Sequence, residues 1–307
     1  MKTSNGSGAD KNGKGAGHLN LEPKLFKENY DREPFGLTHN LSGLDLFSDE
    51  SLRGLAAKFD QQRDYYVAGG APKPGAKFYS VAKIDDKPIE AYDKLDKGAF
   101  RILLKRPEDK DPRFRKLLDE MFNQVIDLKG GLGDDKVERL ESAVFISSAA
   151  TTTPFHFDPE IAFFCQIAGE KIYHVYSPSA VNEKELEDFY NRGVVDIAQI
   201  DLEGRDPARE HVFKLAEGKG LHQPQNSPHW VETGAGRSIS WSFVFETTAT
   251  RAVSKARGFN HYLRKMGMKP KPVGKRAAAD AVKAKAMSMV VPTRRAVGNV
   301  VRKVVKR

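Results

Sequence analysis

Three side chains in the second half of the sequence have the types and spacing of metal ligands. His156 and Asp158 are two residues apart in TTTPFHFDPE, and His229 follows in QPQNSPHWVE. On a β-strand, residues at i and i+2 project from the same face, so an imidazole and a carboxylate could converge on one ion. A second histidine would complete a two-histidine, one-carboxylate triad, which leaves positions open on ferrous iron for a chelating cosubstrate and dioxygen. An isolated H-x-D pair is more often chance than chemistry, so the surrounding segments decide its weight.

The segments that carry these residues have the texture of short β-strands. From about Ala143 onward, apolar or alternating runs such as AVFISS, IAFFCQIAG, KIYHVYSP and SISWSFVFET are separated by Gly, Pro and polar clusters. One helical interruption fits at 184–192. Many short strands favour a jelly roll, so we predict a mainly β fold with helical additions around a double-stranded β-helix (jelly-roll or cupin) core.

The first half of the chain contains helical signals. Ser48 precedes an apolar pattern that predicts a short helix, and Asp111-Pro112 opens a longer pattern with Phe114, Leu117 and Met121 on one face. Residues 1–20 are rich in Gly, Lys and Asn and predict a disordered N-terminal tail. The predicted main domain covers residues 21–248, with a helical part at about 21–139 and the jelly-roll core at about 140–248.

Residues 249–307 form a basic segment that we predict to be a partly helical C-terminal tail. Residues 250–307 hold 17 Lys and Arg against one acid, Asp280, so they carry a charge of +16 and the rest of the chain carries −7 of the total +9. Such a segment suits a phosphate backbone, which makes nucleic acid or the ribosome the first partner to consider. Two alternatives stay open. The segment could be a solvated or docking tail, or the valine-striped helix predicted at 293–307 could bind an anionic membrane surface.

Composition also bears on where the protein works. The sequence has no run of about 18 apolar residues and no apolar signal core at its start, so we predict no transmembrane segment. Cys165 is the only cysteine, which excludes an internal disulfide and is compatible with a cytoplasmic location. As a thiol inside an apolar strand it is predicted to be a small buried hydrophobe.

Several separated motifs resemble the JmjC and cupin-like oxygenases, especially the asparaginyl hydroxylase that modifies hypoxia-inducible factor. That family's T-P-x-H-x-D pattern matches residues 153–158, its F-F-x-Q-I-x-G pattern matches residues 163–169, and its lysine fifteen residues after the first histidine matches Lys171. The order of Pro224, His229 and Glu232 before an alternating strand also matches. The resemblance covers about residues 140–248 and implies an Fe(II)- and 2-oxoglutarate-dependent enzyme.

The resemblance implies roles for individual residues. His156, Asp158 and His229 would be the metal-binding and catalytic residues, and Lys171 with Thr153 would bind the distal carboxylate of 2-oxoglutarate. The family has asparagines at the positions of two apolar residues in this sequence; Ser242, together with Ser240, is the predicted partial substitute. The two apolar residues are Ala162 and Val244.

Other histidines are weaker candidates. His222 stands two residues before Pro224, where the family usually has an apolar residue, so we interpret it as structural or second-sphere. His174, in the apolar strand KIYHVY, is interpreted as a core histidine with satisfied hydrogen bonds.

Three function classes follow. The first is an oxygenase that hydroxylates, or demethylates, a protein side chain or another substrate such as a small molecule, with release of succinate and CO₂; a homodimer is compatible with it. The second is a non-catalytic metal-binding cupin that acts as a sensor or regulator and contacts nucleic acid through its tail. The third is a metal cupin that needs no cosubstrate. Such proteins usually bind their metal through three histidines and one glutamate, and the absence of a cosubstrate would leave Lys171 without an anion.

Overall fold

A computed structural model describes residues 17–77, 81, 83–191 and 197–290. Its strands are β1 (Leu19–Asn20), β2 (Phe35–His39), β3 (Tyr65–Gly69), β4 (Phe100–Lys105), β5 (Val137–Ser147), β6 (Thr152–Phe157), β7 (Ile161–Ala168), β8 (Lys171–Tyr176), β9 (Ala198–Gln199), β10 (Glu210–Leu215), β11 (Lys219–Gln223), β12 (Pro228–Thr233) and β13 (Ser238–Thr247). The α-helices are α1 (Pro23–Asn29), α2 (Asp49–Ala56), α3 (Pro88–Tyr92), α4 (Pro112–Lys129), α5 (Glu183–Tyr190) and α6 (Thr248–Lys265), followed by α7 at 277–290.

The strands form two antiparallel sheets. The major sheet has eight strands in the order β1-β2-β11-β7-β13-β5-β4-β3, and the minor sheet has five in the order β10-β8-β12-β6-β9. Strands that are distant in sequence are neighbours in both sheets, as in a jelly roll. The predicted mainly β fold with a jelly-roll core and helical additions is confirmed.

Alternate residues along the strands of the major sheet pack in two different apolar clusters, one on each face of the sheet. In β7, Phe163 and Cys165 belong to a large apolar core that includes α2 and α4, while Phe164 belongs to a second cluster with residues of the minor sheet. In β13, Trp241 and Phe243 lie in the helix-side core in the same way. Because adjacent strand residues point to opposite faces, the helices cover one face and the other face is left for a pocket between the sheets.

Helix α4 is built as its sequence predicts. The Asp111 side chain accepts a hydrogen bond from the Arg113 backbone N–H at the N-terminus, and Gly130 ends the helix in the left-handed region at φ 91°. Its buried face packs on the major sheet, where the Phe122 and Phe245 rings meet edge to face at 5.2 Å. The predicted short helix also forms, as α2, with Ser48 as its N-cap.

The N-terminal half contributes more strands than its helical signals indicate. Leu19 and Asn20, which the sequence places in the predicted tail, pair with β2, and the Leu19 side chain is buried because it packs into the helix-side core. Strands β2, β3 and β4 lie within the predicted helical part and extend the major sheet on both sides. The predicted disorder of residues 1–16 lies outside the described residues.

The basic segment begins as a helix docked on the jelly roll. Three arginines of α6 pair with acidic residues: Arg257 with Glu183 at 3.5 Å, Arg264 with the buried Glu187, and Arg251 with Glu246 and Glu138. Part of the positive charge of the basic segment is therefore neutralised by acidic residues of the same chain. Among the helices that the structure describes, none has the length and apolar character needed to cross a membrane. The predicted helix at 293–307 falls beyond the last described residue.

Candidate metal centre and anion pocket

The structure brings His156, Asp158 and His229 together at one end of the pocket, which we call the metal end. His156 on β6 and His229 on β12 are direct partners across the minor sheet, and their ring centroids are 4.1 Å apart. Asp158 follows β6, and its two carboxylate oxygens lie 3.8 Å from His156 Nε2 and 3.7 Å from His229 Nε2. One ligand atom from each residue lies within 4.8 Å of the others, so the group could hold a metal ion.

Both imidazoles are held in the form that a metal requires. His156 Nδ1 donates to the Pro154 carbonyl at 2.7 Å, and His229 Nδ1 donates to the Ser227 carbonyl at 3.1 Å. These bonds fix the tautomer and leave each Nε2 lone pair directed toward Asp158. Burial lowers the pKa of both rings, and for His156 the neighbouring His229 lowers it further, so both are neutral near pH 7.

The metal end opens into a cavity of about 340 Å³ between the two sheets. Its walls combine the ligands His156 and Asp158 with residues from five strands of the major sheet, β3, β4, β5, β7 and β13. The wall residues that matter below are Arg101, Phe145, Thr153, Phe164, Ser242 and Val244.

Lys171 begins β8 and is buried close to this cavity. Its Nζ lies 5.6 Å from the centre of the Phe145 ring and 5.5 Å from that of Phe164, both of which line the cavity. Burial, and then the nearby charge of Arg101, lower the pKa of Lys171 to about 7. An ammonium group in this position gains from an anion that enters the pocket.

A second buried cation, Arg101, was not predicted from the sequence. It lies on β4, where its guanidinium donates to the Thr153 hydroxyl at 2.8 Å and to the Thr152 carbonyl at 2.9 Å. Burial lowers its pKa. Among the described residues, neither Arg101 nor Lys171 forms an ion pair with a carboxylate. We call Lys171, Arg101 and Thr153 the anion end of the pocket.

One signal in the sequence could have identified Arg101. The strand FRILLK places a single arginine among apolar residues, and a charge is almost never fully buried in a strand unless it is paired. The signal is weak without the strand order, because nothing local indicates that β4 reaches the pocket.

The positions where the family has asparagines also lie at the cavity. Ala162 and Val244 are direct partners on β7 and β13, and both line the cavity with Ser242. The Ser240 hydroxyl instead donates a buried hydrogen bond of 2.7 Å to the Gln166 side chain. Of the two predicted serines, only Ser242 reaches the pocket.

His222 is structural, as its position before Pro224 suggests. Its Nδ1 donates to the Ala162 carbonyl at 3.1 Å, and its Nε2 accepts from the Asp31 backbone N–H at 3.0 Å. Burial lowers its pKa to about 3, so the ring is neutral and both nitrogens are occupied.

His174 and Cys165 also lie apart from the triad. His174 faces the outside of the minor sheet, where it stacks on Trp230 at 3.7 Å and pairs with Glu210 at 3.2 Å. The interpretation of His174 as a core residue is therefore wrong, since its strand alternates and only one of its faces is inside. Cys165 is buried in the core on the helix side of β7.

The cavity wall near Asp158 carries further charges. Arg139 donates to Glu160 and, at 2.8 Å, to Glu141, and all three line the cavity. Burial, and then the nearby Asp158, raise the pKa of Glu160 to about 8. The cavity wall therefore carries this ionic group as well as the apolar side chains of Ala162 and Val244.

Comparison with known proteins also points to the JmjC class. No family model matches the chain. A JmjC domain-containing protein D from Dictyostelium discoideum is 29% identical over 142 residues, which cover 41% of this chain and 30% of that protein. The chain therefore spans less than a third of the length of this relative.

Solved structures extend the likeness to most of the fold. The X-ray structure of E. coli YcfD has a TM-score of 0.53 at 17% identity, covering 89% of this chain and 68% of that one. A structure of YcfD, described as a ribosomal oxygenase in complex with cobalt and 2-oxoglutarate, has a TM-score of 0.50 at 18% identity, covering 89% and 67%. The predicted resemblance to the JmjC class is confirmed in sequence over 142 residues, and the fold is similar to that of YcfD over most of the chain.

Proposed function

We propose that this protein is an Fe(II)- and 2-oxoglutarate-dependent oxygenase that hydroxylates a side chain of a protein substrate. The observation that carries the proposal is a pocket with a two-histidine, one-carboxylate group at one end and two buried cations, without a carboxylate partner among the described residues, at the other. A metal ion and a dicarboxylate together would satisfy both ends.

In this proposal His156, Asp158 and His229 hold iron through two neutral imidazoles and one carboxylate, the donor set of non-haem ferrous oxygenases. Bound iron, 2-oxoglutarate and dioxygen supply the oxidising chemistry, with release of succinate and CO₂. The Pro154 and Ser227 carbonyls keep the two rings oriented by accepting hydrogen bonds from their Nδ1–H groups.

The anion end would orient the cosubstrate. Lys171 and Arg101 would share the distal carboxylate, and the Thr153 hydroxyl, which accepts from Arg101, can donate its own proton to the same carboxylate. Ser242 would add a further hydroxyl contact. Arg101 thus supplies polar contacts that are missing at Ala162 and Val244.

Turnover without substrate would test the enzyme proposal. Purified protein with iron(II), 2-oxoglutarate and air should release succinate, and His156→Ala should reduce release to background. His174→Ala is a matched control, because this histidine lies on the outer face of the same sheet. Metal binding by the wild type without succinate release would instead favour the sensor hypothesis.

For the substrate, we propose a ribosomal protein, supported by the description of YcfD as a ribosomal oxygenase. The test is incubation with ribosomal proteins, followed by mass spectrometry for the gain of one oxygen atom. Loss of a methyl group instead would indicate demethylation.

We further propose that the basic segment binds nucleic acid or the ribosome, in a cytoplasmic setting that a single free cysteine permits. After α6, exposed cations include Lys269, Lys271 and Lys275. Replacing these three with Glu should weaken RNA binding and flatten its salt dependence, by about 0.7–0.9 in slope for each phosphate that is no longer neutralised. A matched charge change at Lys24, Lys27 and Lys116 should leave binding unaltered.

A further inference from the structure

The loop of residues 224–227, between β11 and β12, contacts two of the three proposed metal ligands. The backbone N–H of Asn226 donates to the Asp158 carbonyl at 3.0 Å. The carbonyl of Ser227 accepts from His229 Nδ1 at 3.1 Å. The position of this loop therefore affects both the backbone of one ligand and the ring orientation of another.

Asn226 is fixed from the side of helix α5. It is 3% exposed and adopts a left-handed conformation with φ 64°, which asparagine tolerates better than most residues. Its side-chain oxygen accepts a hydrogen bond from the Tyr190 hydroxyl at the end of α5. Both groups are buried, so loss of the Tyr190 hydroxyl leaves the Asn226 side-chain oxygen without this donor.

Helix α6 packs against α5 at the same place. A methyl group at Gly258 of α6 would lie 2.6 Å from the Tyr190 carbonyl and 2.9 Å from Met287 of α7, so the helices are in close contact there. Ser254, one turn earlier on α6, interacts with the Tyr190 hydroxyl and lies 3.5 Å from the Gln225 side chain. A change in the position of α6 would therefore be transmitted to the loop of residues 224–227 through Tyr190 and Ser254.

We infer that Tyr190 and Asn226 are positioning residues that couple the seating of the C-terminal helix α6 to the geometry of the metal triad. The inference rests on the proposed metal site. It means that the metal affinity of the jelly roll depends on a helix outside it, and that a partner pulling on the basic segment would change that affinity. Residues that orient metal ligands from outside commonly contribute about 10–100-fold to affinity.

Cobalt(II) is the probe, titrated anaerobically into the metal-free full-length protein and followed by its visible absorption. Tyr190→Phe removes only the hydroxyl, and Asn226→Gly keeps the positive φ while it removes the acceptor. Each should weaken cobalt binding roughly tenfold or more. The double variant should bind cobalt no more weakly than the weaker-binding single variant, because both substitutions remove the same hydrogen bond. Tyr92→Phe, which removes a hydrogen bond of 2.8 Å from α3 to the Asp49 side chain of α2, should stay within about twofold of wild type.

A second pair of variants tests the helix itself. Gly258→Ala should displace α6 and weaken cobalt binding, whereas Gly54→Ala, whose added methyl group meets nothing within 4 Å on α2, should not. Thermal unfolding of each metal-free variant distinguishes reduced affinity from reduced stability.

Folded Tyr190→Phe and Asn226→Gly proteins that bind cobalt within about twofold of wild type would overturn the inference. A wild type that binds no cobalt would overturn it together with the proposed metal site. If the wild type binds cobalt but releases no succinate, the enzyme proposal fails, and the inference is judged on the dissociation constants alone.

Discussion

The metal end and the anion end of the pocket are assembled in different ways. His156 and His229 face each other on neighbouring strands of the minor sheet, and both are neutral. The anion end combines Lys171 from the minor sheet with Arg101 from the major sheet, where burial and the charge of Arg101 lower the pKa of Lys171. One end therefore depends on pairing within a sheet, whereas the other depends on how the sheets face each other and is complete only with an anion.

The largest effect is expected at the metal end. His156→Ala removes an inner ligand, so the reduction in cobalt or iron affinity should exceed the roughly 10–100-fold typical of outer partners. Isothermal titration of the metal-free protein measures it. An unchanged dissociation constant would show that the triad is not the metal site, and His174→Ala serves as the control.

At the anion end each cation should carry part of the cosubstrate affinity. Lys171→Ala and Arg101→Ala should each weaken 2-oxoglutarate binding by about 2 kcal/mol or more, roughly 30-fold, because a buried carboxylate loses one of its two cationic partners. Metal affinity should change little. If Arg101→Ala binds 2-oxoglutarate as the wild type does while Lys171→Ala does not, Arg101 only supports Thr153 structurally.

The sequence predicts the two ends to different degrees. The H-x-D spacing, the strand texture and the match at Lys171 are local signals, and the structure places these residues at one pocket. Arg101 has only a weak local signal, because its role depends on β4 pairing with β5 and on the face that β4 presents to the pocket. The Tyr190–Asn226 hydrogen bond escaped for the same reason, since it joins a helix end to a loop 36 residues away.

The burial of Lys171 and its repulsion by Arg101 should also make the free energy of unfolding of the metal-free protein depend on pH. The pKa of Lys171 is lowered from its usual 10.5 to about 7 in the folded state, so between these values the unfolded chain binds a proton that the folded protein has released. The Lys171 contribution to the free energy of unfolding must therefore rise with pH across that window.

Replacing Lys171 by methionine should remove this slope. The variant should also be more stable than wild type at pH 6, by about 1–4 kcal/mol, because an apolar side chain replaces a buried charge. Urea unfolding at pH 6 and pH 9 measures both effects. Parallel pH dependences in the two proteins would mean that the Lys171 ammonium already has a partner.

The smallest effect is expected at Val244 in the cavity wall. If Arg101 supplies the contacts that asparagines make in the family, then Val244→Asn should improve 2-oxoglutarate affinity by no more than about 1.5 kcal/mol, the value of one added hydrogen bond. The same substitution in the Arg101→Ala background should help more. Equal gains in both backgrounds would indicate that the two positions act independently.

Anaerobic titration of the metal-free protein with iron(II) and then 2-oxoglutarate asks whether the two ends of the pocket hold one chelating molecule between them. We expect a weak visible charge-transfer band when both are present, its absence in His156→Ala, and a need for more 2-oxoglutarate in Lys171→Ala. Iron binding by the wild type without this band would mean that the two ends do not act on the same ligand, and the proposed oxygenase chemistry would have no site.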